Sequence, residues 1–313
     1  MTDENTTFYN YSDEEDYSDH LCRKEVEVRD ASIPLLFISV VVLSFICNTL
    51  VLVILALTGN LRSLTNIFSL NLALSNLLFT FGLLFHASYY WGWTFGESGC
   101  KAVKFLFYLG FYSGVLFLTL MTVQRYMAVV HPLSNRERSS FLVSSFIIWV
   151  LSGTVAMLGS LHSKVMIEFD TLYCEYDTIE WKPAIAYFQN ALFFIAFAIV
   201  CYCYGRMLLT VAKSSANKKH KTLRPTFFIV LLFFIGWAPF NIVMLLQSLA
   251  VYPFTNCEVS KGLDYAAYYA CRILAVTHCF INTVVFLVFV EGRFHKSLGA
   301  VPRRFCLKIE VYD

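Results

Sequence analysis

Three groups of residues in this 313-residue chain have the types and spacing to do chemistry. Ten cysteines are present, and four of them (Cys22, Cys100, Cys174 and Cys257) fall in positions expected to be extracellular. An even number in such positions suits two disulfides in an oxidising compartment; four cysteines admit three pairings, and spacing does not choose among them. Residues 1–20 hold seven acids (Asp3, Glu4, Asp13, Glu14, Glu15, Asp16, Asp19) and no Lys or Arg, with Tyr9, Tyr11 and Tyr17 among them. Clustered negative charge of that kind speeds the encounter with a basic protein and is weakened by salt. Asn5-Thr6-Thr7 and Asn10-Tyr11-Ser12 in the same segment are the only glycosylation sequons. The third group surrounds Arg272, an ionisable residue inside an apolar run and preceded by Tyr265, Tyr268 and Tyr269. Such a group is costly in an apolar medium and usually faces a cavity. On another run, Lys101 and Lys104 stand above Phe107, Tyr108 and Phe111. No metal-ligand motif, buried carboxylate relay or Schiff-base lysine in the last span is present. Neither an enzyme nor a bound cofactor or metal is therefore expected, and nucleic acid is not an expected partner.

The elements that position these residues are legible from hydropathy. The chain is 58% hydrophobic and 17% aromatic, with a mean hydropathy of +0.60. A soluble domain could not hide that much apolar surface, so the bilayer is the expected solvent. Seven apolar runs reach the length of a membrane crossing, at about 33–58, 64–90, 100–130, 140–161, 183–212, 223–251 and 262–289. The acidic N-terminus does not read as a cleavable signal, so the first run would direct insertion. Arg62, Arg136, Arg138, Lys213, Lys218, Lys219, Lys221, Arg224, Arg293, Lys296, Arg303, Arg304 and Lys308 fall on one side of the runs. By the positive-inside rule that side is cytoplasmic, which puts the N-terminus and both sequons outside. The expected fold is an all-α membrane protein: an acidic N-terminal segment (1–32), a seven-transmembrane helix bundle (33–290), and a short amphipathic inner helix with a tail (291–313). No repeat or second domain is visible. Cys47, Cys201, Cys203, Cys271 and Cys279 lie in apolar runs and read as small hydrophobes; Cys306, in a basic stretch after the last run, suits palmitoylation.

Ordered motifs then carry a resemblance. CNTLVL, LTNIFSLNLALSN, YYWGWTFGESGC, QRYMAVVHPL, the lone Trp149, GWAPFN and CRILAVTHCFIN occur in sequence along the runs. The set resembles a class A G-protein-coupled receptor, and within that class the chemokine receptors. Trp91-Gly92-Trp93, the acidic tyrosine-bearing N-terminus, the four outer cysteines and His278-Cys279 before Asn282 are similar to that subfamily. The stretches NCEVSKGLDYAAYYACRILAVTHC and KSSANKKHKTLRP most resemble the branch that reads lymphotactin, the C-class chemokine.

The resemblance implies a plasma-membrane receptor that passes binding of a basic, lymphotactin-like chemokine outside to a heterotrimeric G protein of the Gi type inside, in support of leukocyte chemotaxis. It implies the pairs Cys100–Cys174 and Cys22–Cys257, and sulfation of the acidic-tail tyrosines. Ligand contacts are expected at Lys104, Tyr108, Tyr265, Tyr268 and Arg272, the last with an acidic group. Trp237 with Pro239 is similar to the toggle and kink of the class, and Arg125 in Gln124-Arg125-Tyr126 to the arginine that contacts the G protein. The basic stretch Lys213–Arg224 would meet acidic lipid or G protein, or act in orientation alone.

Several landmarks depart from the family pattern. Gln124 replaces the acid beside Arg125, and Asn76 the carboxylate that, with Gly114 opposite, would hold a buried sodium ion. Thr283 replaces the proline of span seven, and Phe286 the tyrosine that would pair with Tyr204. Leu83 and Phe85 replace a proline and a tryptophan of span two. After Phe289 the sequence offers Ser297 as its one Ser or Thr, so weak arrestin recruitment is expected. These departures all lie on the inner half, the span-two pair aside, and keep open an alternative: an atypical scavenger that binds and internalises chemokine without productive G-protein coupling.

Overall fold

The computed structural model describes residues 32–58, 64–85, 92–131, 138–168, 171–177, 181–212, 217–250, 274, 277, 278, 280 and 281. Six long helices follow in order: α1 (Ser32–Thr58), α2 (Leu64–Leu84), α3 (Gly96–Val130), α4 (Arg138–Leu161), α5 (Trp181–Ala212) and α6 (Asn217–Ala250). Between α4 and α5 lies an antiparallel hairpin, β1 (Ser163–Glu168) and β2 (Thr171–Tyr176). Leu274, Thr277, His278, Phe280 and Ile281 are also helical and belong to the seventh expected span.

Five of these helices, α1 to α5, are long and apolar enough to cross a membrane; α6 holds a shorter apolar stretch, Val230–Leu246. Their side chains explain why. Phe45, Phe146, Ile195, Leu208 and Leu209 point outward with more than half of their surface exposed, an arrangement stable only where lipid replaces water. Several hydroxyls inside the bundle are satisfied locally: Thr119 donates to the Val115 carbonyl, Thr122 to Leu118 and Ser145 to Phe141. In a medium without water that return bond removes the cost of a bare hydroxyl.

Helix boundaries follow from their ends. Pro183 sits in the first turn of α5, where its missing N–H has no helical partner to lose. The charged Lys218, Lys219 and Lys221 are helical, so α6 starts six residues before its apolar run. Gly96 opens α3 with φ +68, a left-handed conformation that suits glycine. The hairpin amends the all-helical expectation. Its register runs from Ser163 opposite Tyr176 to Glu168 opposite Thr171.

Helix α3 is the axis of the bundle, packed against α2, α4, α5, α6 and β1. Phe68, Phe111, Val115, Leu118, Phe193, Met207, Phe233 and Trp237 form one continuous core around it. Two glycines set the approach of α2 to α3. A Cβ built on Gly110 would stand 2.3 Å from the Phe79 nitrogen and 2.6 Å from the Ser75 oxygen. One on Gly82 would stand 2.7 Å from the Phe107 nitrogen. Backbone, unlike a side-chain tip, cannot step aside, so small residues here allow the contact. Gly110→Ala should therefore force the two helices apart, costing about 1–3 kcal/mol or more by overpacking. The measurements are cell-surface level and the melting temperature of purified protein; a wild-type value for both would contradict the close-packing account.

Candidate ligand-binding and switch residues

At the hairpin end, Gly92 and Trp93 hold the hairpin to the start of α3. Gly92 adopts φ 85, and the Trp93 backbone N–H donates to the Leu172 carbonyl at 2.7 Å. The Trp93 indole N–H donates to the Gly96 carbonyl at 2.8 Å. Cys100 and Cys174 form the disulfide that ties α3 to β2, with a Cα–Cα distance of 5.5 Å. Two residues beyond Cys174, Tyr176 turns into the bundle and is buried. Its hydroxyl is hydrogen-bonded to that of Tyr108, and the Lys104 ammonium lies 4.6 Å from the centre of its ring. Lys101 is engaged differently, in an ion pair of 2.8 Å with Glu97 one turn earlier.

Spacing on α3 carries the contact inward. Residues four apart share a helix face, and Tyr108 stacks on Tyr112 at 5.7 Å between ring centres. Tyr112 meets Phe188 of α5 and Phe111. Phe111 lies 4.6 Å from Trp237 of α6. The Trp237 indole N–H donates to His278 Nδ1 at 2.8 Å, deep in the core. Phe79 and Phe233 pack on both Trp237 and His278. Pro239 follows two residues later; it leaves the Ile235 carbonyl without its usual i+4 donor. The Asn241 side-chain amide donates to the Trp237 carbonyl at 2.9 Å, which ties the turn containing the proline.

Beneath the tryptophan, the centre of the bundle is polar but neutral. Asn76 donates to Asn48 Oδ1 at 3.1 Å, and Asn48 donates to the Ser44 carbonyl at 2.8 Å. Ser44 and Thr80 share a hydrogen bond of 2.7 Å. On the other side, Ser113 donates to Ser75 at 2.8 Å, and Trp149 to Asn71 Oδ1 at 2.8 Å. Gly114 faces Ser75. The class would hold a sodium ion here, but the donor set does not fit one. A cation of that kind wants carboxylate oxygens, and Asn76 points an amide N–H into the ladder instead. The affinity of an agonist should then be insensitive to exchange of sodium for choline. Asn76→Asp should introduce a sodium dependence; the check is radioligand competition in the two salts, and a sodium effect already present in the wild type would contradict the reading.

At the opposite end, Gln124 Oε1 is buried without a hydrogen-bond partner among the described residues. Tyr126 is hydrogen-bonded to His131 Nε2 at 3.2 Å, and its ring faces Tyr202 of α5 at 6.1 Å. Tyr204, beside Phe227 of α6, lies within electrostatic reach of Arg125. Its hydroxyl is buried, with the Thr122 side chain in polar reach.

The structure thus joins Lys104 and Tyr108 at one end, centres Trp237 and Pro239, places Asn76 in the neutral ladder, and gathers Gln124, Arg125, Tyr126 and Tyr204 at the other end. Tyr9, Tyr11, Tyr17, Asn5, Asn10, Cys22, Cys257, Tyr265, Tyr268, Arg272, Asn282, Thr283, Phe286 and Cys306 lie outside the described residues. Of the intramembrane cysteines, Cys203 is buried, Cys47 half-buried, and Cys201 exposed on the helix surface, against the expectation of burial. Sequence reasoning missed Tyr176, Tyr112 and Asn48. The strand formers Val165, Ile167, Thr171 and Tyr173 were a strand signal that would have exposed the first of these.

A family model described as the 7 transmembrane receptor (rhodopsin family) matches residues 47–286. The chain is 35% identical over 309 residues to the Homo sapiens chemokine XC receptor 1, covering 96% of this chain and 90% of that protein. It is 35% identical over 298 residues to the Mus musculus chemokine XC receptor 1, covering 94% and 89%. Against the Macaca mulatta C-C chemokine receptor type 8 it is 34% identical over 284 residues, covering 87% and 79%. Proteins of this kind are membrane receptors and not enzymes. On the family match and the near full-length kinship, the chain belongs to the rhodopsin family of seven-transmembrane receptors and, within it, to the chemokine receptors.

Proposed function

We propose that this protein resides in the plasma membrane with its N-terminus and hairpin outside, binds a basic chemokine there, and transmits that event to a Gi-type G protein inside, in support of leukocyte chemotaxis. The observation that carries the reading is the unbroken line of contacts from Tyr176 through Tyr108, Tyr112, Phe111 and Trp237 to His278. Rigid contacts of that kind let a ligand at the hairpin end bias the packing of α6 against the seventh span, provided it prefers one packing over the other. The acidic tail with Tyr9, Tyr11 and Tyr17 captures the chemokine, and the pair Cys22–Cys257 ties that tail to the top of span seven. Tyr265, Tyr268 and Arg272 complete the ligand-contacting set, while Asn5 and Asn10 carry glycans and Cys306 a palmitoyl chain. Asn282, Thr283 and Phe286 form the inner part of the switch. A lymphotactin-like chemokine is the ligand favoured by the similarity to XC receptors.

The scavenger reading is favoured by one observation, the neutral ladder in which Asn76 donates to Asn48 where the class carries a carboxylate. One experiment separates the two: cAMP inhibition across a chemokine panel, with uptake of labelled chemokine in the same cells. Signalling supports the first reading, uptake without signalling the second, and neither overturns both. Removal of residues 1–20 should lower chemokine affinity by about tenfold or more at low salt, and by less as salt rises. Undiminished affinity would remove the tail from the capture step.

A further inference from the structure

The geometry points to His162 as a positioning residue: clamped between Asp177 and Trp181, it fixes the end of β2 that presents Tyr176 to Tyr108. This rests on the receptor reading above and deepens it, because Tyr176 begins the line of contacts on which that reading stands. The hairpin pairs Ser163 with Tyr176, and the Asp177 backbone N–H donates to the His162 carbonyl at 2.8 Å. His162 and Asp177 therefore add one more cross-strand pair at the base of the hairpin. Side chains alternate along a strand, so Cys174 and Tyr176 share the face toward α3, and Asp177 lies on the other.

On that second face His162 joins three elements. Its Nδ1 lies 3.4 Å from Asp177 Oδ2. Its ring is stacked on the indole of Trp181, the first residue of α5, with 3.7 Å between ring centres and 15° between planes. The next residue, Ser163, donates to the Gly159 carbonyl of α4 at 3.2 Å. The Cys100–Cys174 disulfide holds β2 two residues before Tyr176, and the clamp holds it one residue after. A strand pinned only at Cys174 could still pivot at its exit; the clamp removes that freedom, and order present before binding lowers the cost of binding. The stack is the stronger half. The pair with Asp177 is long, and 34% of the His162 side chain is exposed, so solvent weakens it. Ring-on-ring contact does not depend on charge.

The test uses the full-length receptor and the chemokine of highest affinity in the panel above. His162→Ala should lower that affinity about two- to tenfold, the range expected of one lost aromatic pair. His162→Phe, which keeps a ring on Trp181 and drops the nitrogens, should recover most of the loss. In a Tyr176→Phe background, His162→Ala should cost little more, since its effect passes through the Tyr176 contact. Trp181→Leu removes the stack from the α5 side and should behave as His162→Ala does, which keeps the test intact where one variant expresses poorly. In the ligand-free receptor, His162→Ala should speed amide hydrogen exchange in β2 while α1 and α2 stay protected. Undiminished affinity, phenylalanine no better than alanine, an equal loss beside Tyr176→Phe, or exchange unchanged in β2 or raised throughout the bundle would each overturn the clamp. Absence of any chemokine that binds the wild type would instead overturn the receptor reading, and the exchange measurement then still decides the clamp.

Discussion

Exchange of His278 for phenylalanine is expected to raise signalling in the absence of ligand and to lower the melting temperature of the purified receptor. The Trp237 indole N–H donates to His278 Nδ1 at 2.8 Å, and both residues are buried. With Nδ1 accepting, the ring's hydrogen sits on Nε2. Phenylalanine preserves the ring that Phe79 and Phe233 pack against but accepts no such bond. The indole N–H would then be buried without a partner, at a cost of about 1–3 kcal/mol. That cost falls on the ligand-free packing, so the two-state ratio moves away from it by roughly 5- to 150-fold. His278→Asn, which can still present an oxygen to the indole, should recover part of the resting state. The measurement is basal cAMP inhibition at matched surface level, beside a thermal melt. Unchanged basal activity with a lowered melt would make the bond structural and take Trp237 out of the switch.

The tryptophan itself was legible because GWAPF, inside the sixth apolar run, resembles a motif of the class. Its hydrogen-bond partner was not: His278 was a family marker in the sequence, and nothing in spacing joins residues 41 positions apart. Five spans were legible almost to their ends because lipid demands a long apolar run of each. The deviations have local causes. Helix α6 starts early because lysine is a good helix former even where it is a poor membrane residue. The hairpin was hidden by the strength of the helical pattern on both sides of it, although Val165, Ile167, Thr171 and Tyr173 are strand formers. With the hairpin went Tyr176, and with Tyr176 the nature of the contact made by Lys104 and Tyr108. The neutral ladder was half legible. Asn76 announced the missing carboxylate, but its bond to Asn48 joins two helices and so depends on packing that sequence alone does not fix.

Gln124→Glu is the exchange with the largest expected effect at the inner end, and it differs from the wild type only by an oxygen in place of an amide nitrogen. In the protein as it stands, Gln124 Oε1 is buried and makes no hydrogen bond among the described residues, so the side chain contributes little restraint to Arg125 through that atom. A carboxylate beside a guanidinium stays charged, because the opposite charge favours its ionised form. Hydrogen bonds to a charged group contribute about 1.5–3 kcal/mol, and a differential of that size moves a two-state balance tenfold or more. Held to its own helix, Arg125 is less available to a G protein and to the Tyr204 phenol across from it. Basal signalling should therefore fall, and the chemokine concentration for half-maximal response should rise by about tenfold, with surface level unchanged. Gln124→Ala provides the contrast: it removes an acceptor that bonds to nothing, so the response should stay close to wild type. If alanine and glutamate act alike, the restraint on Arg125 does not pass through position 124. A signal in the alanine form and its loss in the glutamate form would place the altered restraint at position 124.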